Sequence, residues 1–416
     1  MWGLWPKVSM QNVHLTERAH ELSLDSCCGG VSRREILTWA LLGAGALALE
    51  PLGSLAAESP ASQRGARPSL AQAEGALRDL VSRHAAAADD PWAMMHGIRA
   101  LGKGFSVAGD SAVEYLSSRE LREKELAGQK CLYMPREVEG HENTFLKTLL
   151  EAGVELSTPI TAAGRRHTVA GLVDSAKNLF SFNPTLSPVD NSRDELAWSI
   201  IAFSITTKPG QDVWKNAEGQ EIRFRDVVEA GFASAESASA DFLAAKKRGV
   251  MPVWKDRISN FTCGGTHLIY SLAVAVRYGH LGKRGRERLA EQLSLLIWRL
   301  KADLVLLEQY YAKVARVYPA KPQAWRPYEL DSRLKFLGHA FEILSYVRLQ
   351  GLYVLTPEQE QQARAAKQTL AETILEVKNL NLIAFKKTNR KLFDLLIGDA
   401  CHAYHGIHMA AGVNQV

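Results

Sequence analysis

An alternation of helical segments constrains this chain more than any other feature. From about residue 69 onward, charged amphipathic segments at about 69–88, 111–127, 168–181, 222–247, 285–315 and 357–378 take turns with more apolar ones. The apolar set lies at about 91–104, 141–152, 193–206, 263–279, 332–350 and 392–411. Ala, Leu, Glu, Arg and Lys dominate, and no alternating run of β-branched residues extends beyond a few positions, so the chain reads as all-α. An amphipathic helix covers a neighbour with its apolar stripe, whereas a helix apolar on most sides must itself be covered. Six outer–inner repeats therefore predict a two-layered α6/α6 toroid over residues 69–416 as a single domain. Four-helix bundles and solenoids do not need such an alternation. A right-handed helical superhelix that stays open is the alternative.

With 46% hydrophobic and 23% charged residues, the chain can bury a sizeable core. Its 50 basic and 45 acidic residues are spread along the sequence, which gives no case for a nucleic-acid partner. Outside the N-terminus no stretch reaches the roughly 18 apolar residues that a membrane span requires. At the N-terminus, VSRREILTWALLGAGALAL (31–49) sets paired arginines before an apolar run from Ile36 to Leu49. Small residues follow, with Ser54-Leu55-Ala56 or Ala46-Leu47-Ala48 as cleavage sites. This resembles a bacterial twin-arginine export signal: Ser32, Arg33, Arg34 and Leu37 match, Ile36 stands for the Phe and Thr38 for the Lys. The resemblance implies a signal segment over 1–57, a flexible lead-in over 58–68, a periplasmic or secreted destination, and export after folding. Export after folding is the route of proteins that load a metal or other cofactor in the cytoplasm. A plain Sec signal or an uncleaved anchor is the alternative.

The mature chain keeps three cysteines, Cys131, Cys263 and Cys401. In an oxidising compartment an odd count implies one disulfide with a leftover, or thiolates protected by a metal. Two of the three head a Cys-x3-His pair, Cys263 with His267 in FTCGGTHLIY and Cys401 with His405 in GDACHAYHGIH. Residues at i and i+4 share a helix face, so each pair offers a sulfur and an imidazole together. Two such pairs would complete the tetrahedron preferred by zinc or another borderline-soft transition metal. His402 and His408 are further candidates. The other apolar helices echo the position with His96, His141 and His339, which are the candidates for general acid and base work near neutral pH. If the ring closes, these side chains converge on one end of a central cavity. A Cys263–Cys401 disulfide and an inert core are the competing readings of the same residues.

CGGTH also coincides with a zinc-binding pentapeptide of the alanyl-tRNA synthetase editing domain, but agreement stops at those five residues. The architecture is more similar to the α/α toroid superfamily. Lanthionine synthetase cyclases hold zinc through a Cys and a later Cys-His, to which Cys263 and Cys401-His402 correspond, with Ala403 where that family has Gly. Polysaccharide lyases of toroid type imply Asn260, His267, Tyr270 and Arg277 instead, and the hydrolases imply Asp194 with Glu195 or Asp331. These resemblances imply a small-molecule, peptide or polysaccharide substrate, or a non-catalytic binding role. Trp214, Trp325 and Tyr328 fall in two long connections, 208–222 and 317–330, read here as covering a site or packing on its rim.

Overall fold

The computed structural model describes residues 68–87, 89–183, 196–252 and 257–413. The segment 1–57, the lead-in as far as residue 67, and Asp194 and Glu195 lie outside the described residues. The fold is mostly helical. Among the described residues, twelve helices coincide with the segments expected to be helical. The outer ones are α1 (Leu70–His84), α3 (Ala112–Glu120), α5 (Val169–Leu179), α7 (Phe224–Ala238), α9 (Gly282–Val317) and α11 (Pro357–Lys378). The inner ones are α2 (Pro91–Leu101), α4 (Thr144–Glu151), α6 (Leu196–Thr206), α8 (Thr266–Arg277), α10 (Pro322–Leu349) and α12 (Arg390–Val413).

Local chemistry sets several of these starts. Ser69 and Gln72 cap α1 reciprocally, as Thr356 and Gln359 cap α11, so that backbone donors left open by the first turn are satisfied. Asp90 accepts from the Ala93 N–H at 3.0 Å, and Pro91 follows at the first helical position of α2, where its missing N–H costs nothing. The stretch 317–330, expected as a loop, is instead largely the first turns of α10. Pro322 opens that helix, and Pro327 is tolerated one turn further on, close to the end where few intrahelical acceptors are yet in use.

Each inner helix packs on the next in chain order, α2 on α4, α4 on α6, α6 on α8, α8 on α10 and α10 on α12, and α12 returns to pack on α2. In the outer layer α11 lies against α1, and α9 against both α10 and α11. The hydrophobic core is one continuous cluster running through all of these helices.

Two further expectations need correction. The chain is not purely α: among the described residues, four two-stranded antiparallel hairpins lie between residues 106 and 223. They are β1 (Ser106–Val107) with β2 (Asp110–Ser111), β3 (Arg122–Leu126) with β4 (Gln129–Tyr133), β5 (Pro159–Ala162) with β6 (Arg165–Thr168), and β7 (Val213–Lys215) with β8 (Glu221–Arg223). The first three turn on Ala108-Gly109, Ala127-Gly128 and Ala163-Gly164, with both residues left-handed each time. That geometry matches the twist of a tight hairpin. The helix expected over 111–127 accordingly ends at Glu120, because 122–133 folds back as β3 and β4 with Lys124 opposite Cys131. The second correction concerns 222–247, which breaks at Ser239 into α7 and the shorter helix Ala240–Arg248.

Candidate functional site

The site starts with the two glycines of CGGTH. Cys263, Gly264 and Gly265 have φ of 48°, 68° and 78°, a left-handed turn that precedes α8 and keeps its first residue at Thr266. Cys263 and His267 therefore do not share one helix face as the i, i+4 spacing implied; the turn brings the sulfur round to the imidazole. Only glycine fits the next two places. A Cβ on Gly264 would lie 2.6 Å from the Phe336 ring, and one on Gly265 would lie 2.3 Å from Ile258.

Around this turn lies a cavity of about 30 Å³, lined by side chains from α2, α4, α6, α8, α10 and α12. His96, His267, His339 and His402 of the inner helices line it, with His141 from the connection before α4 and with Cys263, so five histidines converge, His402 rather than His405 coming from α12. His339 and His402 do so from mid-helix rather than from the first turns. They are 2% and 3% exposed, which makes the site a buried cluster more than an open mouth. Trp92, His96, Cys263, His267 and Lys335 are half-buried and keep one side in partial contact with solvent. The rings pack closely, His339 to His402 at 3.9 Å between centroids, His267 to His339 at 4.7 Å, His267 to His402 at 5.1 Å and His96 to His402 at 5.4 Å. His141 stacks on Trp198 at 3.8 Å.

Carboxylates fix the imidazoles. Burial is the largest single influence on Glu342 and pushes it up, but Arg99 and the histidine partners together outweigh it and hold the carboxyl well below the usual range. Ionised, it can only accept, so His402 donates through Nδ1 to Oε2 at 2.8 Å and His405 through Nδ1 to Oε1 at 2.7 Å. His96 donates through Nδ1 to the Trp92 carbonyl at 2.8 Å. His339 Nε2 lies 3.1 Å from Asp399 Oδ1, a carboxyl that burial raises to about 6 and that is ionised above it. His96 and His402 thus keep Nε2, and His339 keeps Nδ1, as lone-pair positions. Burial lowers His339 and His402 to about 3 and depresses His96 and His267 well below the ordinary value, so all four are neutral at neutral pH. Neutral imidazole is the ligand form.

The ligand atoms of Cys263, His267 and His339 all lie within 4.8 Å of one another, as do those of His339, Glu342 and His402. A tetrahedral zinc sets its ligand atoms about 3.3–3.7 Å apart, so a side-chain adjustment of about 1 Å would close the first set on an ion. In the second, Glu342 already accepts from Arg99 Nε, His402 and His405, and its role is to orient histidines. The donors therefore fit a zinc-like ion best at Cys263, His267 and His339. Cys401 and His405 do not join them. Cys401 is fully buried in the apolar core, where burial pushes its thiol well above the ordinary value, and none of Cys131, Cys263 and Cys401 is in a disulfide.

Beneath the cluster sits a closed layer of charge. Arg99, over the Tyr270 ring at 4.9 Å, pairs with Glu342 at 2.8 Å and with Glu151, and Lys147 lies 3.3 Å from Glu151. These residues were missed from the sequence, although a signal existed. Arg99, Lys147 and Glu342 are single charges inside apolar runs (GIRAL, FLKTLL, AFEILS), and a buried charge requires a buried partner. The lyase-type set does not assemble. Tyr270 is buried in the charge layer, and Arg277 is ten residues, about 15 Å, along α8 from His267, where it bonds to Gln350. Asp331 is buried beside Lys335 and Asp399 and raised to about 8 by burial. Trp214 donates to the Lys177 carbonyl and packs on Phe203, Trp325 packs on Tyr311, and the Tyr328 hydroxyl accepts from Asn389, all away from the cavity lining.

No protein-family model matches the chain, and neither does any curated protein or solved structure. No helix among the described residues is long and apolar enough to cross a membrane.

Proposed function

We propose that this chain is an exported metal-dependent enzyme of hydrolase or lyase type, built as a closed α6/α6 toroid. Its zinc or other transition metal is held by Cys263, His267 and His339. The observation that carries this reading is the mutual approach, within 4.8 Å, of one thiol and two neutral imidazoles at a buried cavity. The return of α12 onto α2 supports closure of the ring.

Three protein ligands leave a fourth position open, and a zinc ion bound there supplies a water acidified toward neutrality. The protein's own groups do the rest. Asp399 fixes the His339 tautomer, and Glu342 and the Trp92 carbonyl hold the His402 and His96 protons at Nδ1, so that each Nε2 is left as a hydrogen-bond acceptor. Trp92 and Trp198 wall the cavity and limit water. The free volume of about 30 Å³ is room for little more than a water or two, so a substrate would present only a small reacting group to this cavity.

Metal analysis of the protein purified after native export is the test. About one equivalent of zinc or another transition metal per chain is expected; less than about a tenth of an equivalent, with Cys263 readily alkylated, would sink the reading. Export is tested separately by Arg33→Lys/Arg34→Lys, which should leave the chain in the cytoplasm.

A further inference from the structure

Cys263 is the one ligand of the site that no regular helix positions, and its left-handed backbone disfavours a side chain with a Cβ. Something outside the turn must hold it. Arg299, from α9 in the outer layer, is 2% exposed and donates through Nη1 to the Gly264 carbonyl at 2.9 Å. Its other nitrogen lies 3.2 Å from Asp303, and its guanidinium covers the Phe242 ring at 4.9 Å. A Cβ on Gly264 would stand 3.1 Å from Arg299 Nη2, so the turn is pressed against the guanidinium. On the other side Phe336 of α10 closes over Gly264, and the Thr266 hydroxyl ties back to the Cys263 carbonyl at 2.9 Å.

We infer that Arg299 is the positioning residue that fixes the Cys263 sulfur for metal binding, by bonding the carbonyl of the next residue in a left-handed turn. It touches neither metal nor substrate and acts only through the turn. The inference rests on the metal reading for its consequence but not for its geometry, and the two can fail separately.

The experiment uses the full chain with Co(II) as probe. Arg299→Met/Asp303→Leu removes both buried charges together, so that neither is left unpaired. It should keep the helical circular dichroism while Co(II) affinity, by chelator competition, falls about 10- to 100-fold, the range seen when a residue supporting a metal ligand is lost. The sulfur-to-cobalt charge-transfer band should weaken or vanish. Arg299→Lys, which keeps a donor and the charge, should restore part of the band, and Arg299→Gln/Asp303→Asn, which also leaves no buried charge unpaired, serves in place of the first double variant if that one fails to fold. An unchanged band and affinity in the altered chain would overturn the inference. If the unaltered chain binds no Co(II), the metal reading falls, and the inference is decided on metal-free protein by peptide-mapped alkylation. Cys263 should then react at least about fivefold faster in the variant than in the parent, and equal rates would overturn the inference.

Discussion

Cys263 with His267, and Cys401 with His405, have the same spacing and opposite fates. The first pair is joined by a left-handed turn that swings a sulfur toward two imidazoles at the rim of a cavity. The second lies on the uninterrupted α12, where Cys401 is locked into the apolar core and His405 is claimed by Glu342 on the far side of the charge layer. The difference teaches that spacing alone does not make a ligand pair: the backbone between the residues and the neighbour that takes up the imidazole decide it. Two Gly residues supply the first condition and one Glu removes the second.

The largest effect expected from breaking this contrast comes from Glu342, which separates the two regions. Glu342→Leu takes the acceptor from Arg99, His402 and His405 at once and leaves Arg99 with Glu151 as its remaining carboxylate partner. Loss of one member of a buried charge set costs about 3–5 kcal/mol. Guanidinium unfolding should show that loss with an unchanged m-value; a change below about 1 kcal/mol would mean that the layer does not carry the fold.

The cysteines themselves give the next test. Cys263→Ser should weaken zinc binding about 100-fold, or about 2.7 kcal/mol, while barely moving the unfolding midpoint, because Cys263 is half-buried beside the cavity. Cys401→Ser should do the reverse. It places a hydroxyl in the apolar core at a cost of about 1–3 kcal/mol and leaves zinc affinity within about threefold. Chelator competition and denaturant titration on the same two proteins check both halves, and equal zinc losses would erase the distinction between the pairs.

How much of this was legible follows from which interactions are local. The helix α11 runs over 357–378 as read, because Thr356, Pro357 and Gln359 announce its start within four residues. The helical character of the other principal segments was legible for the same reason, since burial of a face is written as periodicity. The first three hairpins were not, because their signal is an Ala-Gly pair where Asn-Gly would have been conspicuous, between strands of only two to five residues. The convergence of His96, His141, His267 and His339 was anticipated, whereas His402 in the place of His405, and the depth of the cluster, were not. α10 starts ten residues before its expected boundary, so His339 falls in mid-helix. What had no local signal was the pairing of Glu342, whose partners Arg99 and His402 are 243 and 60 residues away. No local pattern encodes an ion pair of that range.

The smallest effect, and the finest probe of the site, is the pH dependence of the metal-free protein. His402 is 3% exposed and burial lowers it to about 3 from an ordinary 6.5, so between those values the unfolded chain binds a proton there that the folded chain does not. Unfolding free energy therefore rises with pH across that window, by about 1.4 kcal/mol per pH unit for one such group, and the contribution is lost as pH falls toward 3. His339 adds in the same direction, while Asp331, raised to about 8, opposes it by favouring the folded state at lower pH. These other groups are common to the parent and to His402→Gln and cancel in the comparison. Urea titrations between pH 4 and 6 should give the variant a slope shallower by about 1.4 kcal/mol per pH unit, and parallel slopes would show that His402 is not held neutral by its surroundings. That outcome would also remove the ground for treating Nε2 of His402 as the acceptor that faces the ligands His267 and His339, and with it the asymmetry between the cavity and the side of α12 where His405 lies.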